Sequence, residues 1–128
     1  SPSSAMMRKN LFSKVGLFDE VLPVCEDYDF WLRVSARFPI FFINKKLIIK
    51  RGGHPDQLSN RSWGNDRYRV IALEKLLSEP CVGQEERESV LKEMEKKCQV
   101  LSKGFLKRGN EFEGRYYQEI MRRYGIEI

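Results

Sequence analysis

Glu26-Asp27-Tyr28-Asp29-Phe30-Trp31-Leu32-Arg33 is the stretch on which the reading of this chain turns. Phe30 and Trp31, continued by Val34 and Phe38, recur at helical spacing, with Arg33 and Arg37 on the other side. That periodicity predicts a helix from Glu26 to Phe38. Asp27 is placed to cap it, and Pro39 stops it. Asp29 and Arg33 are four residues apart, the spacing of a helical ion pair.

Downstream of this helix, residues 40–43 and 47–51 are β-branched and aromatic, and they predict two strands joined tightly through Asn44-Lys45-Lys46. Gly52-Gly53-His54-Pro55 breaks the second strand. Upstream, residues 6–12 predict a short strand or helix. Ser13-Lys14-Val15-Gly16 reads as a helix end, with Gly16 at the position where a positive φ is needed. A loop containing Pro23 then leads to Glu26. Past a polar stretch, helices are expected over 65–78, 84–103 and 111–124. The expected fold class is therefore α/β, more strictly α+β. A mixed part over residues 1–80 is followed by an all-helical hairpin over 81–128.

Composition bounds the rest. The chain has 128 residues, 41% hydrophobic and 32% charged, the balance of one ordinary globular domain. Its apolar runs are far shorter than the 18 or so residues a membrane span needs. No basic-then-apolar leader opens it. It does not start with Met, and the expectation is that it begins inside a longer gene product. Three widely spaced cysteines, Cys25, Cys81 and Cys98, form no CxxC and read as reduced thiols of a cytoplasmic protein. The net charge is +5. The excess sits between Asn44 and Lys75, where eight basic residues meet three acids. Such a patch suits phosphates. From Cys81 onward ten basic residues face nine acids, and no basic helix or stacking pair speaks for nucleic acid.

Three stretches resemble family 2 glycosyltransferases of the GT-A fold: Ser3-Ser4-Ala5-Met6-Met7-Arg8, Val15-Gly16-Leu17-Phe18-Asp19-Glu20 and Glu26-Asp27-Tyr28-Asp29-Phe30-Trp31-Leu32-Arg33. They match a small-residue strand, a G-x-F-D-E loop, and an acidic pair leading into a D-x-W-x-R helix. The resemblance covers about 60% of the chain, up to about residue 78. It implies a partial GT-A-like sheet, from the acceptor side of the catalytic domain. The family's nucleotide-binding half, with its D-x-D metal motif, has no counterpart ahead of Ser3; the only D-x-D is Asp27-Tyr28-Asp29. In the tail, Lys107-Arg108-Gly109-Asn110 with Tyr116-Tyr117 is similar to the turn of a tetratricopeptide-like hairpin. One copy makes no repeat array.

The resemblance implies an inverting transfer from a nucleotide-sugar donor to a saccharide or lipid-linked acceptor. Inversion needs a carboxylate that takes the acceptor hydroxyl proton as its oxygen attacks the anomeric carbon. A helix N-terminus favours the ionised carboxylate that such a base requires. The family's base falls on the second acid of the pair, so the catalytic residue is Asp27 with Glu26 as its partner. His54, the only histidine, is expected at the donor diphosphate or a Mg or Mn ion, with Arg51 beside it. Ser4 and Trp63 are expected at the acceptor. The resemblance also allows peripheral contact at the inner face of a membrane. Without the donor half, the chain alone is expected to be inactive and to self-associate. The rival reading is a non-catalytic helical module that binds another protein.

Overall fold

The computed structural model of the chain describes residues 4–49 and 64–127. Among these residues are five helices: α1 (Leu11–Val15), α2 (Glu26–Ser35), α3 (Asp66–Leu77), α4 (Gln84–Lys107) and α5 (Glu111–Arg123). The chain forms two compact units, Ser1–Asn65 and Asp66–Ile128. The expected boundary near residue 80 falls in the turn between α3 and α4.

The expected α/β class and its partial GT-A-like sheet are overturned, because the described residues contain no strand. Residues 40–43 and 47–49 have strand-like composition, yet all their side chains are exposed, Phe41 and Phe42 by 88%. The Lys45 N–H donates to the Ile43 carbonyl at 2.8 Å, a local turn in place of a ladder. Strand preference is a preference for a half-buried pleated surface. A lone pair of strands is marginal in water. These residues meet no such surface among the described ones, so their propensity yields no sheet.

In the first unit α1 is a single turn. The Ser13 hydroxyl donates to the Asn10 carbonyl at 2.7 Å, and Gly16, at φ +82°, ends the helix. The 6–12 stretch resolves as a lead-in and the start of this helix. The core is Val15, Phe30 and Val34, with Met7, Leu11, Phe12, Trp31 and Phe38 packed against it. The helix expected from Glu26 to Phe38 exists but ends at Ser35, and a looser turn carries the chain to Phe38. Its N-cap is Cys25 and not Asp27, which occupies the second helical position. Cys25 adopts a left-handed conformation, φ 66°, and offers no side-chain cap. Its buried thiol instead donates to the Asn65 carbonyl at 3.7 Å.

The second unit is three helices, with α4 packed on both α3 and α5. Along α4 the buried residues Val90, Met94, Cys98, Leu101 and Phe105 recur every three or four positions, the stripe that a core-facing helix needs. The sequence offers Gly104 or Gly109-Asn110 as the end of this helix; α4 runs through Gly104 to Lys107 and stops just ahead of Gly109. Gly109, at φ +76°, reverses the chain, and the Asn110 side chain caps α5 by accepting from the Glu113 N–H at 3.2 Å. Gly114 lets α5 approach closely. A Cβ there would lie 2.6 Å from the Leu106 side chain.

Candidate functional site

α2 carries three carboxylates in its first turn, Glu26, Asp27 and Asp29. The fold treats them differently. Asp29 is 1% exposed and faces Arg33 one turn on, with Arg33 Nε donating at 3.0 Å and Nη2 in ion-pair contact at 2.9 Å. The rest of the guanidinium reaches back to the loop after α1. Nη1 donates to the Val15 carbonyl and Nη2 to the Leu17 carbonyl at 2.8 Å. One arginine therefore neutralises a buried carboxylate and bolts α2 to the chain that precedes it, a role suited to its planar fork of donors.

The G-x-F-D-E loop is built around that bolt. Arg33 Nη1 lies 3.4 Å from where a Cβ on residue 16 would stand, and the backbone there has positive φ. Gly16 meets both demands. Phe18 packs on Phe30, with ring centroids 4.8 Å apart, and Phe12 lies 5.2 Å from Phe30 on another side. The Asp19 side chain accepts from the Val21 N–H at 2.9 Å, a turn that leads the chain into buried Leu22, Val24 and Cys25. Trp31 stands edge-on to Phe30 at 5.3 Å, partly buried and packed against the core on the face its helical spacing implies.

Glu26 and Asp27 are left over. Both are half-buried, and neither carboxylate forms an ion pair or side-chain hydrogen bond among the described residues. They sit at the first and second positions of a helix whose third acid and arginine hold it rigid. A carboxylate so placed can accept a proton from a group that approaches the helix end.

Of the other expected site residues, Ser4 is exposed in the N-terminal lead-in. Arg51, His54 and Trp63 lie outside the described residues. The resemblance implies Mg or Mn in the full-length enzyme, with His54, outside the described residues, as the candidate ligand. The described residues contain no group of three or more His, Cys, Asp or Glu side chains able to hold a metal. Asp29, the second acid of Asp27-Tyr28-Asp29, is committed to Arg33.

The chain is 36% identical over 69 residues to an uncharacterized glycosyltransferase of Rickettsia conorii, covering 53% of this chain and 11% of that protein. A second, from Rickettsia felis, is 32% identical over 69 residues, with the same coverage. A third, from Rickettsia bellii, is 31% identical over 86 residues, or 64% of this chain and 12% of that protein. The chain thus spans about a tenth of the length of the relatives it matches. No protein-family model and no solved structure matches it. No described helix is long and apolar enough to cross a membrane.

The sequence reading missed two features here. One is the Arg33 bolt to the Val15 and Leu17 carbonyls, which has no signature beyond the Gly16 that makes room for it. The other is a polar cleft in the second unit, whose only sequence trace is Glu113, Tyr116 and Tyr117 at helical spacing.

Proposed function

We propose that this chain is part of an inverting glycosyltransferase of the family 2 kind. It transfers a sugar from a nucleotide-sugar donor to a saccharide or lipid-linked acceptor, with Asp27 as the general base. In this reading Asp27 takes the acceptor hydroxyl proton while that oxygen bonds to the anomeric carbon and the nucleoside diphosphate departs with the bond's electron pair. One observation carries the proposal: among the described residues, Asp29 of the three acids on α2 is held by Arg33, while Glu26 and Asp27 make no ion pair or side-chain hydrogen bond at the helix start. The glycosyltransferase names of the relatives support the same direction. Arg51 and His54 are proposed to meet the donor diphosphate. No step of the proposal runs through a metal ion.

The test is Asp27→Asn in the polypeptide that carries this chain in the cell. Sugar-nucleotide turnover should fall by about 10²–10⁴. Because Asp27 is not the N-cap, the melting temperature should reflect no more than the weaker helix-dipole contribution, about 0.3–1 kcal/mol. Unchanged kcat would falsify the assignment. The 128-residue chain by itself is expected to show no turnover.

The rival reading, a helical interaction module, draws on the second unit, which exposes Phe112 and Val100. A binding partner that engages residues 66–128 and leaves turnover untouched would favour it.

A further inference from the structure

The second unit holds a cleft of about 250 Å³ between α3 and α5 that the proposed reaction does not use. On the α5 side its wall comes from one helix face, because Glu113, Tyr116, Tyr117 and Ile120 fall at i, i+3, i+4 and i+7. Tyr117 is the fixed element. Its ring stacks on Phe105 at 5.8 Å and 7°, and it is 4% exposed. Tyr116 stands edge-on to it at 5.2 Å and is 47% exposed, so an aromatic surface is presented to solvent on a buried support.

The polar groups of the cleft divide into engaged and unengaged. Glu74, on α3, accepts from the Tyr124 hydroxyl at 3.4 Å and lies 3.7 Å from Arg123. The Glu113 carboxylate and the Tyr117 hydroxyl make no hydrogen bond or ion pair among the described residues. A tyrosine hydroxyl so deeply set usually finds a partner. Burial pushes that hydroxyl's pKa up, the Glu113 charge adds to the rise and the Arg67 charge opposes it, so both charges act on the same phenol. Arg67 also lies across the Tyr68 ring, 5.7 Å from its centroid. The lining thus combines an acceptor-only carboxylate, a donor-only guanidinium and a hydroxyl that does both, beside an exposed ring.

That combination suits a neutral ligand with an apolar C–H face and hydroxyls that donate and accept. A cationic side chain would use Glu113 and the rings but would meet the Arg67 charge, and an anion would meet Glu113. We propose that this cleft binds a neutral pyranose unit of the acceptor saccharide. The sugar's C–H face lies on Tyr116, and its hydroxyls are shared among Glu113, Arg67 and the Tyr117 hydroxyl. The assignment of the sugar to an acceptor rests on the glycosyltransferase reading, while the binding itself does not.

The experiment is a titration of the ¹⁵N-labelled 128-residue chain with methyl β-glucopyranoside, methyl β-galactopyranoside and N-acetylglucosamine, followed by amide shifts, with trilysine in parallel. At least one sugar should give saturable, millimolar binding with shifts confined to residues 67–74 and 113–120. Tyr116→Ala and Glu113→Gln should each weaken it about fivefold or more, as loss of a ligand's hydrogen-bond or ring partner does. Helix content by circular dichroism should hold, since Tyr116 is half-exposed and the Glu113 change is isosteric. Absence of saturation with all three sugars overturns the inference, as does binding that both variants leave intact. Tighter binding of trilysine at the same residues also overturns it, and makes the cleft a basic-peptide site. The outcomes separate from the Asp27 test. Sugar binding with an undiminished Asp27→Asn enzyme sinks only the general-base reading, and lost turnover without sugar binding sinks only this one.

Discussion

Arg33→Met puts the architecture of the first unit to its hardest test. Methionine keeps much of the apolar stem and removes the guanidinium. Asp29 is 1% exposed, so its carboxylate would lose the guanidinium that faces it at 2.9 Å in the interior. Breaking a buried pair by removing one partner costs about 3–5 kcal/mol. The Val15 and Leu17 carbonyls also lose their donors, worth about 1 kcal/mol each when they stay unpaired. A unit of 65 residues holds in total about 3–10 kcal/mol at the usual stability per residue. The substitution should therefore leave the first unit unfolded or on the edge of unfolding at 25 °C. Asp29→Asn should behave differently. The amide oxygen can still accept from Arg33, which keeps its two carbonyls and is partly exposed, so the cost is about 1–2 kcal/mol. Trp31, edge-on to Phe30 in that core, is the reporter once Trp63 has been replaced by Phe. Urea titrations of the three proteins by tryptophan fluorescence give the ranking. An Arg33→Met protein within about 1 kcal/mol of its parent, or less affected than Asp29→Asn, would refute the reasoning.

Gly114→Ala sets a helix-propensity gain of about 1 kcal/mol against a Cβ 2.6 Å from Leu106, an overpacking cost of about 1–3 kcal/mol. Net destabilisation in a thermal melt, relieved when Leu106→Ala is added, is the expected pattern; additive effects would show that the contact is not the cause. At alkaline pH, burial and the Glu74 charge hold the Cys98 thiol up at about 12 against an ordinary 9.0, and burial raises the Tyr117 hydroxyl in the same direction. The folded state then keeps protons that the unfolded chain releases. This stabilisation is complete below pH 9 and disappears between pH 9 and about 12, at up to about 1.4 kcal/mol per pH unit per group. Urea midpoints of the helical signal at pH 7.5, 9 and 10.5 should be level and then fall; a midpoint rising above pH 9 contradicts the sign. Phe41→Ser with Phe42→Ser, both at 88% exposed positions, should change the stability of the first unit by less than about 0.5 kcal/mol. A larger loss in urea would mean those rings are packed.

How far the sequence was legible depended on whether the deciding interaction was local. α2 through α5 follow from helical spacing and from Pro39, Gly109 and Asn110 within a few residues of their ends. The Asp29–Arg33 pair follows from its spacing of four. The failures lie where distant partners decide. β-branched residues at 40–49 make strands only against a surface, and the described residues offer none. Asp27 looked like a cap because aspartate favours that position. The helix starts at Glu26, as its spacing predicts, so the cap position falls on the left-handed Cys25, whose thiol contacts the Asn65 carbonyl, and Asp27 lies inside the first turn. The cleft of the second unit stayed hidden because Arg67 and Glu113 are 46 positions apart in the numbering, and only the packing of three helices places them on one surface.

The Val15–Glu20 and Glu26–Arg33 stretches are parts of one device. Arg33 grips the Val15 and Leu17 carbonyls, and Gly16 between them must have no side chain for the grip to close. Phe18 closes over Phe30, Asp19 turns the chain toward buried Leu22 and Val24, and Asp29 neutralises the arginine. Nearly every position of the pattern thus has a folding reason. A pattern explained by folding is weak evidence of chemistry at those positions, so the functional weight shifts to the acids that folding does not use. Among the described residues Glu26 and Asp27 are those acids. The rigidity that Asp29 and Arg33 confer matters to them, because a general base must hold its place within hydrogen-bond reach of the proton it takes. On this view Arg33 acts on any reaction only through α2. A variant that weakens its grip without unfolding the unit should blur the position of Asp27 and lower kcat more than it raises KM.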